Sequence, residues 1–238
     1  MAVRVKICGL TEPDDLGALA PLGVDAIGLN FCAGSPRRLT PERAEVLLAA
    51  RPPGILAVGV FADAPAAHVA ELAERLALEA VQLHGDEPPE HARWLHAADL
   101  RVIKAFRLGA PEHLAAMEAW LQHAARLDAL PEAVLLDAAV PGLQGGTGRT
   151  LPDDLLDLLA ARLPRWDALL PAWRRLTWVL AGGLNPANVA DRLARCPLPI
   201  AMVDAASGVE SAPGRKDPAR VAAFIAAARA ATPTSGPA

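Results

Sequence analysis

The residues best placed to do chemistry stand at the ends of short apolar runs. The first run closes with Lys6-Ile7-Cys8-Gly9, which puts an amine and a thiol two residues apart. In an extended segment successive side chains alternate faces, so Lys6 and Cys8 would share one face. A neighbouring ammonium favours the thiolate, pulling a thiol below its unperturbed value of ~8.5. Cys8 is therefore a candidate general base or nucleophile tuned in part by Lys6, although a lone cysteine can equally be a small buried hydrophobe. Asp137 closes Val134-Leu135-Leu136, where it could cap a loop or serve a site. His84 follows Val81-Gln82-Leu83 and shares a face with Gln82; it could line a site or bond a loop. Arg37 stands beside Arg38, as surface charge unless a site claims it. In Gly182-Gly183 and Ser207-Gly208, glycine would let backbone N–H groups approach an anion.

These residues need elements that bring them together. Apolar, β-branched runs alternate with longer amphipathic stretches along the chain. The expected strands are Val3–Ile7, Ala26–Phe31, Leu56–Phe61, Ala80–Leu83, Arg101–Phe106, Ala133–Asp137, Trp178–Ala181 and Ile200–Asp204. The expected helices are Glu12–Leu22, Pro41–Ala50, Ala66–Leu76, Glu87–Ala98, Pro111–Arg126, Leu151–Leu163, Pro186–Ala194 and Pro218–Ala230. Thr40-Pro41, Asn185-Pro186 and Asp217-Pro218 pair a capping residue with proline at a helix start. Strands separated by helices must pair in parallel. Eight such units with no strand left over fit an α/β fold of one domain, a single (β/α)8 TIM barrel over residues 1–231. An open doubly wound sheet is the alternative. Arg162–Arg175, with Pro164, Pro171 and two tryptophans, reads as an inserted turn or short extra helix, and residues 232–238 as a disordered tail.

In such a barrel the active site lies at the C-terminal ends of the strands. Cys8, His84, Asp137 and both glycine segments fall there, and Arg37 follows the second strand. The loops after strands seven and eight carry the usual phosphate site of the fold, so a phosphate-bearing substrate is expected. Lys104 and Asp204 also end strands and could form a buried ion pair. The five other histidines fall on expected helices as surface residues, and the five tryptophans read as packing.

Composition removes several classes of function. Of 238 residues, 53% are hydrophobic and 21% charged, which excludes a disordered solvating chain. A net charge of −4 with scattered arginines offers no footprint for nucleic acid and no polybasic patch for a membrane. Cys8, Cys32 and Cys196 form no CxxC pair and no zinc-like spacing, and an odd, sparse set fits a reducing cytosol. With no signal-like N-terminus and no long uninterrupted apolar window, a cytoplasmic protein is expected. Alanine occurs 52 times and lysine three, so two of the three lysines, Lys6 and Lys104, sit at expected strand ends.

Taken in order, these motifs resemble the phosphoribosylanthranilate isomerase family. The match runs through Lys6-Ile7-Cys8-Gly9-Leu10-Thr11, Ser35-Pro36-Arg37, Val58-Gly59-Val60-Phe61 and Val81-Gln82-Leu83-His84-Gly85-Asp86-Glu87. It continues through Leu136-Asp137, Gly145-Gly146-Thr147-Gly148, Ala181-Gly182-Gly183-Leu184 and Asp204 to Ser207-Gly208-Val209-Glu210, then Pro213-Gly214-Arg215-Lys216-Asp217. The resemblance implies an Amadori rearrangement of a small phosphosugar substrate in tryptophan biosynthesis, without metal or organic cofactor, by a monomer or homodimer. It implies Cys8 as general base, Asp137 as general acid, and Arg37 on the anthranilate carboxylate. His84 would line the substrate site, and Gly182, Gly183, Ser207 and Gly208 would cradle the phosphate. Cys32-Ala33-Gly34 departs from the family's usual aromatic and bulky residues before Ser35, which bears on the wall of the anthranilate pocket. Three alternatives compete. The histidine-pathway isomerase uses two aspartates, a Schiff-base aldolase would use Lys104, and a non-catalytic phosphosugar-binding barrel would show decay at Cys8 or Asp137.

Overall fold

A computed structural model describes residues 2–138 and 149–231. The elements alternate as the periodicity requires: β1 Arg4–Cys8, α1 Pro13–Leu19, β2 Ala26–Asn30, α2 Pro41–Ala49, β3 Leu56–Phe61, α3 Ala66–Arg75, β4 Ala80–Leu83, α4 Pro89–Ala97 and β5 Arg101–Leu108. The second half continues with α5 Pro111–Arg126, β6 Ala133–Ala138, α6 Asp153–Leu169, β7 Thr177–Leu180, α7 Val189–Arg195, β8 Ile200–Ala205 and α8 Pro218–Ala230. Strands β1 to β8 close into one parallel barrel, sealed where Lys6 of β1 stands in register with Asp204 of β8. The barrel therefore replaces the open-sheet alternative. An additional antiparallel hairpin, β9 Glu210–Ala212 with β10 Arg215–Lys216, lies between β8 and α8 and was not expected from the sequence.

Side-chain alternation divides the core in two. Val102, Val134, Leu136, Leu180 and Val203 face outward and join the helix residues Leu114, Met117, Leu159 and Phe224 in one large cluster. Their neighbours Ile103, Ala105, Ala133, Leu135, Val179, Ala181 and Met202 form a smaller cluster in the barrel lumen. Two residues further along the same parity, Leu135 of β6 is followed by Asp137, and Met202 of β8 by Asp204. The same period that fills the lumen thus delivers polar side chains to its C-terminal mouth.

Local chemistry explains the helix starts. Thr40 accepts a hydrogen bond from the Arg43 N–H, and Asp217 accepts from Ala219 and Arg220, each with proline at the start of the helix. Asn185-Pro186 behaves differently from its expected helix start. Asn185 accepts from the Ala187 N–H in a local turn, and α7 begins only at Val189.

The segment before β7 also corrects the sequence reading. Helix α6 runs through Pro164 to Leu169, past its expected end at Leu163, while the short extra helix expected in this segment is a 3-10 helix over Pro171–Arg175. An internal proline costs a helix about 3 kcal/mol. Burial of Trp166 against Trp173 and Trp178, with ring centroids 5.8 Å apart in each pair, offsets that cost. Trp94, by contrast, is 48% exposed and does not serve packing. No helix among the described residues is long and apolar enough to cross a membrane.

Candidate active site

One cavity at the C-terminal mouth brings together the expected acid, base and substrate-binding residues: Cys8, Arg37, His84, Asp137, Gly182, Gly183, Ser207 and Gly208 all line it. Gly145-Gly146-Thr147-Gly148 lies outside the described residues.

Around Cys8 the site is built from buried charge. Lys6 Nζ donates to Asp204 Oδ2 at 3.0 Å, with both side chains nearly sealed from solvent. Burial works against the Lys6 ammonium, but the charges of Asp204 and Cys8 outweigh it and hold its pKa above the ordinary lysine value. For Cys8 the balance falls the other way. Burial pushes the thiol up, Asp204 adds to that, and the opposing pull of Lys6 and Lys216 does not cancel it. The expected lowering of Cys8 by Lys6 is therefore only a partial effect, because the same burial that brings the ammonium close removes the water a thiolate needs.

Lys6 also settles which partner Asp204 has. The Lys104–Asp204 pair expected from the strand ends does not form. Lys104 Nζ donates instead to Glu87 Oε2 at 2.8 Å and to the Gly85 carbonyl at 2.6 Å. Glu87 in turn accepts from the Asp63 and Gly85 N–H groups, tying the end of β3 to the segment that carries His84. Lys104 is 2% exposed and is not among the residues that line the cavity, which gives the Schiff-base alternative no support.

Arg37 is held by Glu210. Its Nε and Nη2 donate to the two carboxylate oxygens at 2.7 and 2.6 Å, the bidentate arrangement a planar guanidinium favours. Glu210 Oε1 also accepts from Lys216 at 2.7 Å. Burial opposes the Glu210 charge, yet the hydrogen bonds from Arg37 and Lys216 hold the carboxyl below the usual range. Arg37 is thus a fixed cation whose Nε–Nη2 edge is taken up by Glu210. Glu210 and Glu87 were missed as site-building residues. Both fall within the family-like motifs, but their partners lie 173 and 17 residues away, and only the closed barrel joins the first pair.

Opposite Cys8, the polar groups form a chain. Gln82 is fully buried, and its Nε2 lies 2.7 Å from His84 Nδ1. His84 Nε2 lies 3.1 Å from Asp137 Oδ2. Side-chain exposures of 25% for His84 and 15% for Asp137 leave both in reach of the cavity.

The two glycine segments close the remaining wall. Gly182 has φ +80°, and a Cβ there would collide with the Ala138 nitrogen and lie 3.0 Å from Asp137 Oδ1. A Cβ on Gly208 would collide with the Leu184 carbonyl oxygen. The loops after β7 and β8 pack backbone to backbone, which any side chain would prevent.

The sequence profile described as N-(5'phosphoribosyl)anthranilate (PRA) isomerase matches residues 5–227. The N-(5'-phosphoribosyl)anthranilate isomerase of Geobacter metallireducens is 40% identical over 96% of this chain and 100% of its own. Among solved structures, a phosphoribosyl anthranilate isomerase in complex with reduced 1-(o-carboxyphenylamino)-1-deoxyribulose 5-phosphate is 31% identical, with a TM-score of 0.73 over 95% of this chain and 98% of that one. A structure of monomers generated from the dimeric isomerase of Thermotoga maritima is 30% identical, with a TM-score of 0.72 over 96% and 99%.

Proposed function

Because the chain belongs to the N-(5′-phosphoribosyl)anthranilate isomerase family, we propose that Cys8 and Asp137 are the base and the acid of its reaction. The activity is that isomerisation, a step of tryptophan biosynthesis. N-(5-phosphoribosyl)anthranilate becomes 1-(2-carboxyphenylamino)-1-deoxyribulose 5-phosphate. The observation that carries the residue roles is that Cys8 of β1 and Asp137 of β6 line one cavity from different sides of the barrel mouth.

The steps follow from the residue types. Asp137 delivers a proton to the furanose ring oxygen, the ring C–O bond breaks, and a Schiff base forms between C1′ and the anthranilate nitrogen. That Schiff base acidifies C2′–H, and the Cys8 thiolate removes the proton to give an enolamine. The Cys8 thiol returns its proton to C1′ and the O2′ proton passes back to the acid side, giving the ketone, so base and acid are both restored and the rearrangement is redox-neutral within the substrate. The raised Cys8 pKa makes the thiolate scarce at neutral pH and a stronger base when present.

Arg37 Nη1 binds the anthranilate carboxylate, with Glu210 fixing the guanidinium plane. Backbone N–H groups around Gly182, Gly183, Ser207 and Gly208 hold the 5-phosphate. His84 faces the sugar region beside Asp137. The molecule bound by the related structure carries a carboxylate, an open ribulose chain and a phosphate, which supports this division of the cavity. We infer a cytoplasmic enzyme acting as a monomer or homodimer, in keeping with the dimeric relative.

The decisive experiment follows the fluorescence loss of phosphoribosylanthranilate with wild type, Cys8→Ser and Asp137→Asn. Removing a general acid or base lowers the rate by about 10²–10⁴-fold. Full activity in both variants would overturn the assignment.

A further inference from the structure

The chain Gln82–His84–Asp137 addresses a difficulty within this mechanism. An isolated aspartate, with a reference pKa of ~3.9, has no proton to give at neutral pH, whereas an imidazole titrates near ~6.5. His84 Nε2 lies 3.1 Å from Asp137 Oδ2, and no other side chain is as directly engaged with that carboxylate among the described residues. On the far side of the ring, Nδ1 meets the Gln82 amide at 2.7 Å. The other end of that amide, Oε1, is buried and has no hydrogen-bond partner among the described residues. A second partner would have fixed the amide in one orientation. Without one, its oxygen and nitrogen can exchange places, and Nδ1 can either accept from N–H or donate to C=O.

We infer that His84 and Gln82 are positioning residues for Asp137: the imidazole stores the proton that Asp137 delivers, and the Gln82 amide turns over to match Nδ1 as that proton comes and goes. With the proton aboard, His84 donates from Nδ1 to Gln82 Oε1 and from Nε2 to Asp137. As Asp137 protonates the ring oxygen, the proton on Nε2 shifts to the carboxylate, leaving an ionised Asp137 beside a neutral imidazole; exchange with water then moves the remaining ring proton from Nδ1 to Nε2, which donates to Asp137, and the turned Gln82 amide donates to Nδ1. Loss of the O2′ proton at the ketone step returns one proton to the pair, so the balance closes in each turnover. The inference rests on the proposed role of Asp137.

The surrounding charges leave His84 and Asp137 as the exchanging pair. Lys104 of β5 is matched by Glu87, and Arg107 of β5 pairs with Asp86 on the His84 segment. Asp63, after β3, accepts from the Asp86 N–H. Cys8, Asp204 and Arg37 line the opposite wall.

The test is the pH profile of kcat/KM. Because burial pushes Cys8 up, the productive form, with Cys8 bare and the pair protonated, is a minority species. The acid limb of the profile then reports the pair and the alkaline limb reports Cys8. His84→Asn should move the acid limb to lower pH, with the plateau falling tenfold for each unit the limb moves. Gln82→Glu adds a second acceptor beside Nδ1 and should move the same limb up. Shifts of opposite sign in the two variants support the inference, since a purely structural role would lower the rate without moving the limb. An acid limb unmoved in both variants, or in whichever of them folds, overturns it. Asp137→Asn is measured alongside: if it stays fully active, the role of Asp137 fails, and if it is inactive while the limb stays fixed, only the proton store fails.

Discussion

The two sides of the barrel mouth handle charge in different ways. Around Cys8, from β1, β8 and the β9–β10 hairpin, Lys6, Asp204, Lys216, Glu210 and Arg37 form buried, permanently charged pairs. Around Asp137, from β4 and β6, the groups are a neutral amide, an imidazole and a carboxylate, partly open to the cavity. Fixed charge suits a base whose field should not fluctuate during turnover. Exchangeable hydrogen bonds suit an acid that must be reloaded. The first arrangement is costly to disturb because a buried ion without its partner has no water to fall back on, while the second tolerates change because solvent can replace a lost partner.

The largest effect should come from Lys6→Met, which strands the Asp204 carboxylate. Urea unfolding should report a loss of about 3–5 kcal/mol, against about 1 kcal/mol or less for His84→Asn on the other side. Equal losses would erase the contrast between the two regions.

Glu210→Gln should cost less, about 1–3 kcal/mol, and should change the acid dependence of stability. The folded Glu210 pKa lies below its unfolded value. Its contribution is therefore present above the unfolded value of ~4.3 and is lost as pH falls through the folded one. Unfolding midpoints measured from pH 6 downward should fall less steeply for Glu210→Gln than for wild type below about pH 4. Parallel curves would mean that Arg37 and Lys216 do not hold this carboxyl in solution.

A smaller effect concerns reactivity. The iodoacetamide rate at Cys8 in the free enzyme should inflect above the ordinary thiol value of ~8.5, and higher still in Lys6→Met, because Lys6 favours the thiolate. Cys32, pushed up to about 12 by burial and the Cys8 charge, should stay unreactive over the same range. An inflection below the free-thiol value would show that Lys6 outweighs burial. The smallest effect is a coupling: the Lys6→Met and His84→Asn stability losses should add to within about 0.5 kcal/mol, since the two networks share no hydrogen bond. A larger coupling would merge the two regions into one.

The acid side was the more legible from the sequence. Gln82 and His84 are two residues apart on one strand, and Asp137 ends an apolar run, so alternation alone puts all three at the mouth. The strands themselves were legible within one or two residues for the same local reason. The pairings around Cys8 were not, because Lys6 finds Asp204 across 198 residues and Arg37 finds Glu210 across 173. Several carboxylates and lysines near strand ends allow more than one matching, and the Lys104–Asp204 expectation chose one that register forbids. Proline in α6 misled in another way. The local rule ends a helix there, while the tertiary stack of Trp166, Trp173 and Trp178 sustains it.

The seam between β1 and β8 has a further consequence for how the chain acquires its site during synthesis. Gln82, His84 and Asp137 have all been made once the chain reaches residue 137, and they lie in or directly after strands β4 and β6, one strand apart in the barrel. Lys6 is made 198 residues before its partner Asp204, and Arg37 is made 173 residues before Glu210. A growing chain thus carries Lys6 unmatched until β8 has been made, and these contacts, having a large sequence separation, carry a large loop-closure cost. The ionic side of the mouth is a lock that turns only once the chain has been made through Lys216.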